Sequence, residues 1–180
     1  MRLQALVTLA TALCAGLSII PLASHAQSPL RFGISAGMTA TADGAWDRGY
    51  TSGANAQLSI EMERVIGRLG LRADAVVYGF RRETFGGTLS SRTTIPGASA
   101  NLVLPFRSPT AKIRPYVLAG GGGYRTEYGM PQPEWHFGLS GGGGLRFALG
   151  RADLLLESRL FQIADGSTPR LVPIMLGFRF

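Results

Sequence analysis

An all-β chain of eight antiparallel strands in up-and-down order is the fold class this sequence predicts. Two observations carry it. Apolar residues recur at every second position in segments about ten residues long, with helical spacing nowhere sustained. The links between those segments alternate between short and long, as a meander of hairpins requires. A third observation narrows the class further: mean hydropathy is +0.16, yet every apolar run after position 23 is broken within a few residues. A bundle of membrane-crossing helices would need several runs of roughly 20 apolar residues. Disorder is excluded as well, because Val, Ile, Leu and Phe are plentiful and only 16% of the 180 residues are charged.

The amino terminus reads as an address. Met1-Arg2 gives a positive start, Ala5 to Ile20 carries no charge, Pro21 ends the stretch, and Ser24-His25-Ala26 places small residues before a cut at Gln27. This is the three-part pattern of a secretory signal peptide, so residues 1–26 are expected to be cleaved and 27–180 to form one barrel domain. The single Cys, Cys14, leaves with it, as does Arg2, so 18 basic residues become 17 against 11 acids. No disulfide, Cys nucleophile or Cys-based metal site is expected in the exported part, and no cofactor. The basic excess does not indicate nucleic acid, since no cluster exceeds Arg81-Arg82.

The strands follow in order. In Leu30 to Ala40 the even positions are apolar and the odd ones, Arg31 to Thr39, are polar or small. Ala56, Leu58, Ile60 and Met62 oppose Asn55, Gln57, Ser59 and Glu61. Leu69 to Val77 oppose Arg72 and Asp74, although Val76 and Tyr78 blur the third segment. Ala98 to Leu104 oppose Ser99, Asn101 and Val103. Ile113 to Tyr124 holds four consecutive glycines and its parity stays open: either Val117 and Ala119 face outward, or Tyr116, Leu118 and Tyr124 do. Trp135 to Leu149 share a face against His136, Ser140 and Arg146. Leu154, Leu156 and Leu160 oppose Asp153, Glu157 and Arg159. Val172, Ile174, Leu176, Phe178 and Phe180 form the last apolar face. Arg64 to Arg68, Pro105 to Lys112 and Gly150-Arg151 are the short links. Thr41 to Gly53, Phe80 to Ile95, Arg125 to Glu134 and Ile163 to Arg170 are the long ones.

Alternation alone fits two opposite proteins, a soluble barrel with its apolar face inside or a transmembrane barrel with that face outside. The strand length points to the second, because ten tilted residues cross a bilayer whereas globular strands run to five or six, and the strongest sign is the alternating end Val172-x-Ile174-x-Leu176-x-Phe178-x-Phe180. Gly and Ser crowd the polar face, as a narrow lumen needs if Arg and Glu side chains are to fit. Aromatics gather near strand ends at Phe32, Tyr78, Trp135, Phe147, Phe178 and Phe180, where interfacial girdles would sit. Strict alternation then ends on Phe180.

With that terminal Ile174-x-Leu176-x-Phe178-x-Phe180, the Arg114-Pro115-Tyr116 strand running into Gly120 to Gly123, the Gly-rich Leu139 to Phe147 strand and Leu156-Glu157-Ser158-Arg159, the chain resembles the small outer-membrane β-barrel domains of the OmpA/OmpX type. The resemblance spans most of residues 28–180. It implies a Gram-negative-type outer membrane, surrounding lipid and lipopolysaccharide, and a carboxy-terminal strand (Ile174, Leu176, Phe178, Phe180) recognised by the barrel-assembly machinery. The cell-wall-binding domain of larger relatives is expected to be missing, so peptidoglycan tethering is not carried over.

Eight strands close a barrel that side chains fill, so no aqueous pore is expected. The inward charges Arg31, Glu61, Arg72, Asp74, Arg146, Glu157, Arg159 and Arg179 are then expected to form a network that holds it shut. Some barrels of this size modify lipid A with a lipid-facing His-x-Ser pair. Here the one His of the mature chain, His136, is followed by Gly138 at that spacing, and Ser140 shares its lumen face, so no catalysis is expected. A soluble periplasmic barrel carrying a small apolar ligand is the other alternative. The long links offer Trp46, Arg48, Tyr50, Arg81, Arg82 and Tyr128 as contact residues for an outer partner or for lipopolysaccharide phosphate.

Overall fold

In a computed structural model the chain is a closed barrel of eight antiparallel strands, each paired with its sequence neighbours and β8 with β1. The structure describes residues 30–42, 53–83, 90–107, 110–126, 133–164 and 170–180. The strands are β1 (Leu30–Thr41), β2 (Gly53–Ile66), β3 (Leu69–Glu83), β4 (Ser90–Pro105), β5 (Ile113–Thr126), β6 (Glu134–Leu149), β7 (Ala152–Ile163) and β8 (Leu171–Arg179). β1 and β8 run side by side from Gly33↔Arg179 to Thr41↔Leu171, and the backbones of Phe32 and Phe180 exchange hydrogen bonds of 2.8 and 2.9 Å at the seam. Closure leaves no strand edge unpaired.

The short links lie at one end of the barrel together with Leu30 and Phe180. Two of them are the same dipeptide, Gly67-Arg68 and Gly150-Arg151, and both glycines sit at positive φ (62° and 67°), a conformation that side chains other than Gly resist. β2 reaches its turn through a bulge between Met62 and Ile66, where Arg64 is held at φ 56°.

Period two decides which residues face out. Leu58, Phe137, Leu139, Ile174 and Leu176 are each between 54% and 60% exposed, while Asn101, Arg72 and Glu61, on alternate positions, are at most 2% exposed. The greasy face is therefore the outer one, the reverse of a soluble ligand-carrying barrel. β5 takes the first of its two parities, with Val117 and Ala119 outward and Tyr116, Leu118 and Tyr124 buried.

Two expectations are corrected. Tyr78 is not part of an outer girdle; it is 2% exposed and points into the lumen, because Val76, Tyr78 and Phe80 together form the inward face of β3. The hairpin between Phe80 and Ile95 is also longer in strand than in loop. β3 continues to Glu83 and β4 starts at Ser90, so the backbones of Arg81 and Arg82 pair with Arg92 and Ser91 on strands, not in a connecting loop. Polar residues let the ladder run on past the apolar belt, which the end of alternation does not reveal.

Candidate functional site

The lumen has two different fillings. Toward the long links it is apolar and aromatic: Val76, Tyr78, Phe80, Ile95, Tyr124, Phe161, Ile163 and Leu171 make one buried cluster. Phe161 stacks on Tyr78 at 5.4 Å and tilts against Tyr124 at 4.4 Å between ring centroids. Bare backbone makes the room. A Cβ on Gly97 would lie 2.2 Å from the Tyr124 ring, and one on Gly138 would lie 2.9 Å from Tyr124 and 3.0 Å from Phe161.

Toward the short turns the lumen is ionic and falls into two linked clusters. In the first, Arg72 grips Glu157 with both terminal nitrogens (2.8 and 3.0 Å), a bidentate pair from β3 to β7 across the barrel. Arg159 donates from Nε to Glu157 (2.6 Å) and from Nη2 to Asp74 (2.8 Å). Asp74 accepts further bonds from Asn101 (2.8 Å) and Gln57 (3.2 Å), and Arg72 Nε lies 3.1 Å from it. Two carboxylates thus face two guanidiniums, and charge balances within the cluster.

In the second cluster, Arg146 donates to both oxygens of Glu61 (2.8 and 2.7 Å). Arg179 reaches Glu61 (3.2 Å), Glu63 (2.6 Å) and Asp153 (2.5 Å), and Arg114 bonds the other oxygen of Asp153. Tyr116 joins the clusters. Its hydroxyl donates to Glu157 and its ring lies 4.4 Å under the Arg146 guanidinium. Gly144 opposes it on β6, where a Cβ would stand 2.8 Å from the Tyr116 hydroxyl.

Of the eight charges expected in the network, seven meet. Arg31 does not. It turns inward beside its strand partner Glu61, but no ion pair reaches it among the described residues, and its Nε has no acceptor. Asp153, Glu63, Arg114 and Tyr116 complete the network although the sequence did not single them out for it. Asp153 lies on the polar face of its segment, so alternation marks it; Arg114 and Tyr116 stand where the parity of β5 is open. Trp46, Arg48, Tyr50 and Tyr128 lie outside the described residues, as do the side chains of Arg81 and Arg82.

As chemistry, this arrangement neutralises buried charge. Each lumen carboxylate is held by at least one guanidinium, and no group of three His, Cys, Asp or Glu among the described residues could hold a metal. His136 Nε2 stands 4.0 Å from a Glu134 carboxylate oxygen, beyond hydrogen-bond length, and no hydroxyl nucleophile bonds it among the described residues.

The fold has solved counterparts. Neisserial surface protein A superposes with a TM-score of 0.61 at 16% identity, over 83% of this chain and 94% of that one. A major outer membrane protein from Thermus thermophilus gives 0.54 at 14% identity (84% and 99%), and the outer membrane enzyme PagL gives 0.53 at 17% (83% and 98%). No protein-family model and no curated protein matches the chain. The barrel thus has the fold of small eight-stranded outer-membrane proteins, one of which is an enzyme.

Proposed function

We propose that this chain is an integral barrel of the bacterial outer membrane whose lumen is a locked structural core, with a role in envelope integrity or surface contact and no catalysis. One observation carries the reading: an apolar outer surface encloses a polar, ion-paired interior. Side chains such as Met38 (66%), Leu58 (60%) and Trp135 (68%) stand exposed, without cover from the other described residues, and contiguous apolar patches beyond a few hundred Å² are rare on soluble monomers. Lipid removes that cost. Ten residues at about 3.3 Å each, tilted about 40°, rise about 25 Å, the height of the apolar band of such barrels. Short turns then face the periplasm and long links the exterior.

The exposed face of β8, Ile174, Leu176 and Phe178, with Phe180 just beyond it, is the segment proposed to be read by the assembly machinery, and the Phe32–Phe180 bonds place it at the closing seam. Export by residues 1–26 belongs to this reading, as does contact of the outer links with lipopolysaccharide or a surface partner. The test is fractionation of a Gram-negative host expressing the whole chain. The protein is expected in the outer-membrane pellet after alkaline washing, migrating faster on gels when unheated; recovery in the soluble periplasm would overturn the reading. The catalytic alternative is motivated by the enzyme among the fold's counterparts. Lipid A from cells with and without the protein should give identical mass spectra, and a chain-length difference would reinstate it.

A further inference from the structure

The barrel's net positive charge is concentrated at one end. The short turns 67–68, 106–112 and 150–151 contain no acid, but they or their flanks present Arg64, Arg68, Arg107, Lys112 and Arg151, all exposed. The acids at that end, Glu61, Glu63 and Asp153, are already taken by Arg114, Arg146 and Arg179. At the long-link end, by contrast, Arg48, Arg81, Arg82, Arg92, Arg125 and Arg170 are matched in number by Asp43, Asp47, Glu83, Glu127, Glu134 and Asp165 in the sequence. Lumen pairing therefore balances, and the formal excess of the mature chain falls on the short-turn rim.

That rim also has a cavity. Between the β2–β3 and β4–β5 turns an opening of ≈ 30 Å³ is lined by Arg64, Arg68, Arg107, Arg114 and Arg146, with Glu61 and Glu63 on its lumen side. It is large enough for two oxygen-sized atoms at about 10–15 Å³ each. Arg146 is buried and Arg114 half-buried, and the Nε of each has no acceptor among the described residues. Arg64 is placed on this cavity by a left-handed backbone (φ 56°) that a non-Gly residue keeps only where its surroundings impose it.

We propose that the short-turn rim binds the phosphate of an anionic phospholipid, two of its oxygens entering this arginine-lined cavity. The inference rests on the membrane reading above. A lipid is favoured over a dissolved anion by what adjoins the charges: Ile66 (73% exposed), Phe106 (54%) and Ile113 (46%) stand next to Arg68, Arg107 and Lys112, so the cations mark the border of the apolar belt, at headgroup depth. Guanidinium and phosphodiester are matched in charge and in paired donor geometry.

The experiment is native mass spectrometry of the full barrel released from micelles mixed with phosphatidylglycerol and phosphatidylcholine of identical chains. Retained phosphatidylglycerol is expected in at least about tenfold excess, falling about fivefold in R68Q and to near parity in R68Q/R107Q. R125Q, at the opposite end, should keep the full excess. Equal retention of the two lipids by the wild type, or an excess untouched in R68Q/R107Q, would overturn the proposal. Loss of the excess on adding millimolar inorganic phosphate would assign the cavity to a dissolved anion and reject the lipid. A chain that neither floats with vesicles nor shows a heat-dependent gel shift would defeat the membrane reading itself, whereas one that inserts in both lipids without preference defeats only the headgroup site.

Discussion

The two halves of the lumen fill the same eight-stranded cross-section by opposite means. Around Phe161 three aromatic rings and five aliphatic or aromatic neighbours exclude water by shape. Around Glu157 and Glu61 guanidiniums and carboxylates exclude it by matched charge. An apolar plug loses stability in proportion to the volume removed, and it relaxes around a substitution. A buried ion network behaves otherwise: once one partner goes, the others remain charged with nothing to face, and the loss exceeds what the pair itself contributed. The short-turn half should therefore be brittle and the long-link half forgiving.

Glu157→Ala tests the brittle half with the largest expected effect. It leaves Arg72 and Arg159 to share the one carboxylate of Asp74 and removes the acceptor of the Tyr116 hydroxyl, so a loss of about 3–5 kcal/mol is expected, read as a lower temperature of the heat-dependent gel shift or a lower urea midpoint in micelles. An unchanged midpoint would show that water or detergent headgroups replace the carboxylate, and the lumen would then not be dry at that level. The double substitution Arg72→Met with Glu157→Leu should cost less than Glu157→Ala alone, because it removes charge from both sides and leaves Arg159 with Asp74.

The forgiving half has its own limit, set by backbone room. Gly138→Ala puts a methyl within 2.9 Å of Tyr124 and 3.0 Å of Phe161, rings locked against each other, and about 1–3 kcal/mol is expected on the same midpoint. Phe161→Leu should cost less, about 1 kcal/mol, since the apolar volume is nearly kept and chiefly the two ring contacts are lost. If Phe161→Leu proved as damaging as Glu157→Ala, the contrast between the halves would collapse.

The same contrast explains what could be read from the sequence. Alternation is local, so it assigns faces correctly wherever the two faces differ in chemistry, as at Arg72, Asp74, Arg146 and Glu157. It fails where the lumen is itself apolar. Val76 and Tyr78 blur β3, and Tyr116, Leu118 and Tyr124 leave β5 undecided, because a hydrophobic residue facing a plug is indistinguishable from one facing lipid. Partner identity is harder still. Arg72–Glu157 and Arg146–Glu61 each join residues 85 apart in sequence, and which guanidinium meets which carboxylate follows from barrel closure and strand stagger, neither of which a single segment encodes.

Arg31 shows how that stagger overrides proximity, and it gives the smallest expected effect. Glu61 stands opposite it in the β1–β2 register, the position where a cross-strand pair would form. Yet Arg146 approaches from β6 with hydrogen bonds to both carboxylate oxygens, and Arg179 from β8 adds an ion pair at 3.2 Å, so two guanidiniums already neutralise Glu61. A third cation at the same oxygens would add repulsion and little attraction, so Arg31 is left half-buried near the rim without an ion-pair mate among the described residues. Arg31→Gln is therefore expected to shift the unfolding midpoint by less than about 0.5 kcal/mol, well below Glu61→Gln, which would uncover Arg146. Equal losses from the two variants would mean that Arg31 shares Glu61 after all, and that the ionic half of the lumen is one network and not two clusters bridged by Tyr116.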